Sequence, residues 1–159
     1  MKHMRHGFTM IELIFVIVII SILAGTALYK LKGIRDDAEA ATCVHEVKQL
    51  ISEISVYYTK VGNSTFQITS VSKMTNVNIG DANTTKGFQG DDKVHGAGVT
   101  YVCDGQSIVT FKGANAGTDY DLHVSLVDLG TGGTPASAIA SEGIKKNILN
   151  GATFKVLKL

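Results

Sequence analysis

The stretch Phe8-Thr9-Met10-Ile11-Glu12-Leu13-Ile14-Phe15-Val16-Ile17-Val18-Ile19-Ile20-Ser21-Ile22-Leu23-Ala24-Gly25-Thr26-Ala27-Leu28 decides how the rest of this chain is read. Glu12 is its only charged residue, and Leu13 to Ile20 are apolar on every face that a helix could present. A run of about 20 such residues matches the hydrocarbon thickness of a bilayer. Lys2, His3, Arg5 and His6 stand in front of it, and a short basic segment stays cytoplasmic, which sends everything after Leu28 to the far side. A secretory signal peptide is the rival reading, with Ser21-Ile22-Leu23-Ala24-Gly25 as its cleavage region. Glu12 weighs against that rival, because a carboxylate at mid-bilayer costs about 2.5 to 3.5 kcal/mol and a signal peptide has no use for it.

Working outward, 159 residues at 16.9 kDa make one domain of ordinary size and exclude multidomain machinery. With 18% charged and 45% hydrophobic residues the chain is no solvated disordered tail. Its mean hydropathy of +0.18 is high for a wholly soluble domain, and the excess sits in the N-terminal stretch. Lys plus Arg is 15 against 14 for Asp plus Glu, so a formal charge of +1 supplies neither a polycation for nucleic acid nor an acidic sink.

At its N-terminus, Gly7-Phe8-Thr9-Met10-Ile11-Glu12-Leu13-Ile14-Phe15-Val16-Ile17-Val18-Ile19-Ile20-Ser21-Ile22-Leu23-Ala24 resembles the leader junction of type IV pilins and of the pseudopilins of type II secretion and DNA uptake. Beyond it the likeness is one of layout only. The resemblance implies cleavage between Gly7 and Phe8 by a prepilin peptidase, and methylation of the new amino group of Phe8. It further implies a stay in the inner membrane among lipid, then extraction by an assembly platform and ATPase into a filament of copies and related pilins. No cofactor, metal or catalytic residue is expected. Residues 1–7 would be the cytoplasmic leader, 8–29 the transmembrane or filament-core half of a spine helix, 30–61 its amphipathic half, and 62–159 a periplasmic globular head.

Elementary electrostatics gives Glu12 an assembly role on the same terms. Cleavage leaves an ammonium on Phe8 at a helix start, and Glu12 one turn on can neutralise another subunit's terminus where both are desolvated. The plainer alternative is a carboxylate merely tolerated near a helix N-terminus.

Pro135 is the only proline, so helix can run from Phe8 to about Lys60, roughly 50 residues or about 75 Å at 1.5 Å per residue. Many pilins carry a proline near the end of the apolar segment, where this chain has Tyr29-Lys30-Leu31. Gly25 and Gly33 each weaken a helix by about 1 kcal/mol, which makes that interval the expected place for bending in a fibre. From Ala40 onward Cys43, Val47, Leu50, Ile54, Tyr57 and Val61 form an apolar stripe, widened by Val44, Ile51 and Tyr58. Asp36, Asp37, Glu39, Glu46, Lys48, Gln49 and Glu53 lie off the stripe and are expected to face water or neighbouring subunits. Such a stripe needs a sheet to cover it.

Residues 62–98 read as a long loop with a weak strand or helical turn, carrying short apolar islands at Phe66 to Val71 and Val77 to Ile79. Val99 to Cys103 and Ser107 to Lys112 read as a hairpin around Asp104-Gly105-Gln106, and Tyr120 to Leu126 alternates as a strand with one buried face. Thr134-Pro135 predicts a helix from Pro135 to Asn150, and Phe154 to Leu159 a last edge strand. The fold class is therefore α+β and pilin-like, a long N-terminal spine helix packed on a small antiparallel sheet.

Searching for chemistry yields little. His45, His95 and His123 form no metal pair at i, i+4, and an enzyme is not expected. Asp81, Asp91-Asp92 and Asp119 with Asp121 lack the regular oxygen spacing of a calcium loop. Lys145, Lys146, Lys155 and Lys158 against Glu142 give weak support for DNA contact. Cys43 lies on the apolar stripe and Cys103 shares a strand face with Val99 and Tyr101, so a disulfide between them is expected in an oxidising periplasm. That pairing departs from the C-terminal bridge more usual in pilins.

The reading is a structural subunit, a prepilin of a type IV pilus-like filament. A pseudopilin of a secretion or DNA-uptake system is the alternative within the class. A membrane-anchored periplasmic binding domain is the alternative outside it.

Overall fold

The computed structural model describes residues 8–80, 84–117 and 119–159. The leader positions, Gly7 included, and Asp81 lie outside them. The chain falls into two compact units, with the boundary between Arg35 and Asp36.

Helix α1 spans Met10–Ile68, and the only non-helical backbone inside it is Gly62, at φ 73° and ψ 171°. Gly25 and Gly33 are helical in the single chain. The expected end near Lys60 therefore falls beside a kink, and a short helical piece follows it. Residues 63–68, in the segment expected as loop with a weak strand or helical turn, are helical and carry Phe66 into the core, where it is fully buried against Tyr58 and Tyr120. The amides of Asn63, Gln67 and Asn115 bond one another across this turn.

In the second unit the stripe does what its spacing requires. Ala40, Cys43, Val47, Leu50 and Ile54 are buried, and Val44, Ile51, Tyr57, Tyr58 and Val61 pack on their flanks. A six-stranded sheet supplies the opposing surface, formed by β1 (Ile79–Gly80), β2 (Gly87–Gln89), β3 (Val99–Cys103), β4 (Gln106–Ala116), β5 (Asp119–Leu126) and β6 (Phe154–Lys158) in chain order. All neighbours are antiparallel except β1 with β2. Three strands and an edge were expected. The two additional strands come from the segment read as loop, and they are too short to show alternation.

The inward face is a grid set by register. Val99 sits opposite Phe111, and Phe111 opposite Val124; Tyr101 sits opposite Val109, and all five are buried. Asp104 at φ 50° and Gly105 at φ 73° make the two-residue turn between β3 and β4, the mirror-image geometry that suits a twisted hairpin. Register shifts between Tyr101 and Val102, leaving Ile108 as the extra residue of a bulge. Gly113 leaves room for an aromatic ring, since a Cβ there would overlap the hydroxyl and ring of Tyr120.

Helix α2, Pro135–Asn147, starts on a Thr134 cap whose hydroxyl accepts the Ser137 N–H at 3.3 Å. It ends three residues earlier than expected, because Asn150 turns to φ 54° and the Gly151 N–H closes on the Lys145 carbonyl at 2.8 Å. Gly143 lets it approach α1, for a Cβ at that position would stand 2.9 Å from the Val44 side chain.

Candidate functional site

Two places on α1 combine charge with a defined environment. The first is its start. Every large apolar side chain from Phe8 to Leu28 is exposed, from 41% at Ile19 to 85% at Phe8, so nothing among the described residues covers this surface. The segment is long and apolar enough to cross a membrane. Thr9 and Glu12 close the helix as a capping box. The Glu12 N–H donates to the Thr9 hydroxyl oxygen at 3.3 Å, while Glu12 Oε2 accepts from the Thr9 N–H at 3.0 Å and from the Thr9 hydroxyl at 2.8 Å. Both carboxylate bonds fall on Oε2, and among the described residues no donor is bonded to Oε1. Beside it Phe8, Ile11, Phe15 and Val16 form a shallow apolar concavity. A carboxylate so placed can receive an ammonium without rebuilding the helix end.

The second place is the line where α1 meets the head. Cys43 and Cys103 are bonded, with Cα atoms 6.1 Å apart and both residues fully buried. One turn along, Glu46 corrects the expectation that the off-stripe charges face water. Its Oε2 accepts the Tyr101 hydroxyl at 2.6 Å and its Oε1 takes the Lys86 ammonium at 2.7 Å. Burial, reinforced by the neighbouring Glu46 carboxylate, pushes the Tyr101 hydroxyl well above the usual phenol range. Glu53 does the same two turns on, accepting from the Thr75 hydroxyl, from the Asn76 N–H at 3.3 Å and from Gln49 at 2.8 Å. Burial alone would raise its pKa, but these hydrogen bonds prevail and hold it below the ordinary carboxylate value. Both glutamates directly precede a buried stripe residue, Val47 and Ile54, and that border position was the available signal.

The remaining candidates separate. His45 is exposed, and His123 lies in register between Lys112 and Val156 on the outer sheet face. His95 Nδ1 meets the Tyr120 hydroxyl at 2.9 Å, and burial together with Tyr58 pushes that phenol up to about 12. Asp91 accepts from the Ser72 N–H at 2.9 Å and from the Ser72 hydroxyl at 2.7 Å, fixing the 3-10 turn Val71–Lys73. Among the described residues, no three His, Cys, Asp or Glu side chains cluster closely enough to hold a metal ion. Of the four C-terminal lysines, Lys145 faces Glu142 at 3.9 Å, Lys158 faces Asp119 at 4.0 Å, and Lys155 reaches the Ile148 carbonyl at 3.4 Å.

Comparison with known proteins agrees with the first of these places. Residues 2–28 match the family model described as the prokaryotic N-terminal methylation motif. No curated protein sequence and no solved structure matches the chain. The motif is the signature of type IV pilins and pseudopilins and, with the α+β fold and the exposed apolar helix, fits a membrane-anchored pilin or pseudopilin.

Proposed function

We propose that this chain is a non-catalytic structural subunit of a type IV pilus-like filament, cleaved after Gly7, methylated on Phe8 and assembled from the inner membrane. The observation that carries the reading is the methylation motif set on an apolar helix half with no covering partner among the described residues. The fourteen large apolar residues from Phe8 to Leu28, at about 1.5 to 3 kcal/mol each, favour leaving water by on the order of 20 to 40 kcal/mol gross. Lipid supplies that burial before assembly, and a bundle of sister helices supplies it afterwards. Repetition of one head-to-tail contact then gives an open helical fibre.

Glu12 makes the exchange selective, since its carboxylate is a cost in lipid and an asset beside a second chain's terminal ammonium. Mass analysis of the N-terminus of membrane-extracted protein tests the reading. Loss of residues 1–7 and a methylated Phe8 are expected. An intact Met1, or cleavage near Ala24, would overturn it. Recovery of the processed chain in sheared surface filaments assigns it to a pilus, and retention in the periplasm assigns it to a secretion or uptake pseudopilus.

A further inference from the structure

Past its apolar half, α1 carries charge in a fixed order, with Lys30, Lys32 and Arg35 followed by Asp36, Asp37 and Glu39. Lys32 and Asp36 stand four residues apart, as do Arg35 and Glu39, yet among the described residues none of the six takes part in an ion pair. A cation N-terminal to its anion is the less favourable order within one helix, because it opposes the helix dipole. These side chains are thus available to a second chain.

The same spacing separates Phe8, which carries an ammonium after cleavage, from Glu12. Sliding one copy of α1 along a parallel copy by four residues, about 6 Å of helix axis, brings three cations level with three anions. Phe8 meets Glu12, Lys32 meets Asp36 and Arg35 meets Glu39, and between residues 8 and 61 no like charges coincide. Among offsets of up to ten residues the others fare worse. At three, Lys32 meets Arg35 and Asp36 meets Glu39; at five, Lys30 meets Arg35; at seven, Glu39 meets Glu46 and Glu46 meets Glu53.

We propose that a second copy of this chain docks along α1 in parallel at the four-residue offset, its Asp36 and Glu39 seated on the first copy's Lys32 and Arg35. The proposal rests on the filament reading and adds to it a register lock outside the apolar segment. Among small displacements, the basic band followed by an acidic one leaves the four-residue offset with the largest excess of opposite-charge over like-charge pairs.

Two full-length variants test it, expressed with the native assembly machinery. One carries Lys32→Glu with Arg35→Glu, the other Asp36→Lys with Glu39→Lys. Each alone places like charges level with one another and is expected to lower filament yield by about fivefold or more. Expressed together and alternating along the fibre, they restore opposite charges at every contact, and yield is expected to return to within about twofold of the unaltered chain. Pairing inside one helix could not be rescued by mixing, so a mixture as poor as either variant alone overturns the proposal. So does a cation variant that is lost from the membrane before processing, which would assign Lys32 and Arg35 to lipid headgroups. If the unaltered chain is processed yet stays monomeric, the filament reading itself fails, and that outcome is distinct from a failed rescue.

Discussion

Ile14, Ile17 and Ile20 leave 54%, 53% and 57% of their surface exposed, whereas Leu50 and Ile54 on the same helix leave none. Residue type does not separate the two regions; pattern does. From Leu13 to Ile20 apolar residues follow one another without interruption, so no single face exists for a sheet to cover. From Ala40 to Ile54 they recur at three and four, the sheet lies against that stripe, and the opposite side stays polar. A helix that is apolar all round must be surrounded, and one that is apolar on a stripe need only be covered. The first region therefore looks for many partners outside the chain, and the second finds its partner within it.

The strongest way to break this contrast is to remove the one charge in the surrounded region. Glu12→Leu leaves insertion and cleavage intact and is expected to reduce filament yield by an order of magnitude or more, since the Phe8 ammonium of a neighbour would be desolvated without a counter-charge. Immunoblots of membrane fractions beside sheared filaments read both quantities. Normal filament yield would reduce Glu12 to its capping contact with Thr9.

A second test acts on the covered region. Replacing Cys43 and Cys103 together by serine opens a loop with a sequence separation of 60 and is expected to cost about 4 kcal/mol on the chain-entropy account. That is a large share of what a small domain has. Denaturant unfolding of the detergent-solubilised chain, with and without the substitutions, measures it. A change under about 1 kcal/mol would mean that packing alone holds α1 to the sheet.

How legible these features were depends on whether the chain's partners were near in sequence or periodic. The stripe, the β3–β4 hairpin, the Thr134-Pro135 cap and the pairing of Cys43 with Cys103 follow from spacing that can be counted along the chain. Residues 62–98 do not, because their order comes from partners far away. Glu53 holds Thr75 and Asn76, Glu46 holds Lys86, and the Val71 N–H reaches the Asp92 carbonyl at 2.9 Å. Polar side chains on a helix border carry no periodic mark of which loop they will bind. At the N-terminus the same limit applied differently. Glu12 was conspicuous as a lone charge, while its contact with Thr9 was written locally in the T-x-x-E spacing of a capping box.

The finest test concerns one of those border side chains, and its direction follows from proton linkage. Glu53 is held below the ordinary carboxylate value in the fold, so the unfolded chain binds its proton more tightly. Its contribution to stability is therefore complete above the unfolded pKa. It fades as pH falls through the lower folded value, where the carboxylate that accepts from Thr75, Gln49 and Asn76 takes up its proton. Glu53→Gln keeps the shape and one acceptor oxygen but removes the charge. At neutral pH the substitution is expected to cost less than about 1 kcal/mol, because much of the group is open to water. Between neutral pH and the acid side of the carboxylate range, the difference between the two chains should shrink toward zero. Unfolding curves measured at several pH values on both chains decide it. A constant difference across that interval would mean that Glu53 anchors the Thr75–Asn76 segment by shape, with its charge playing no part.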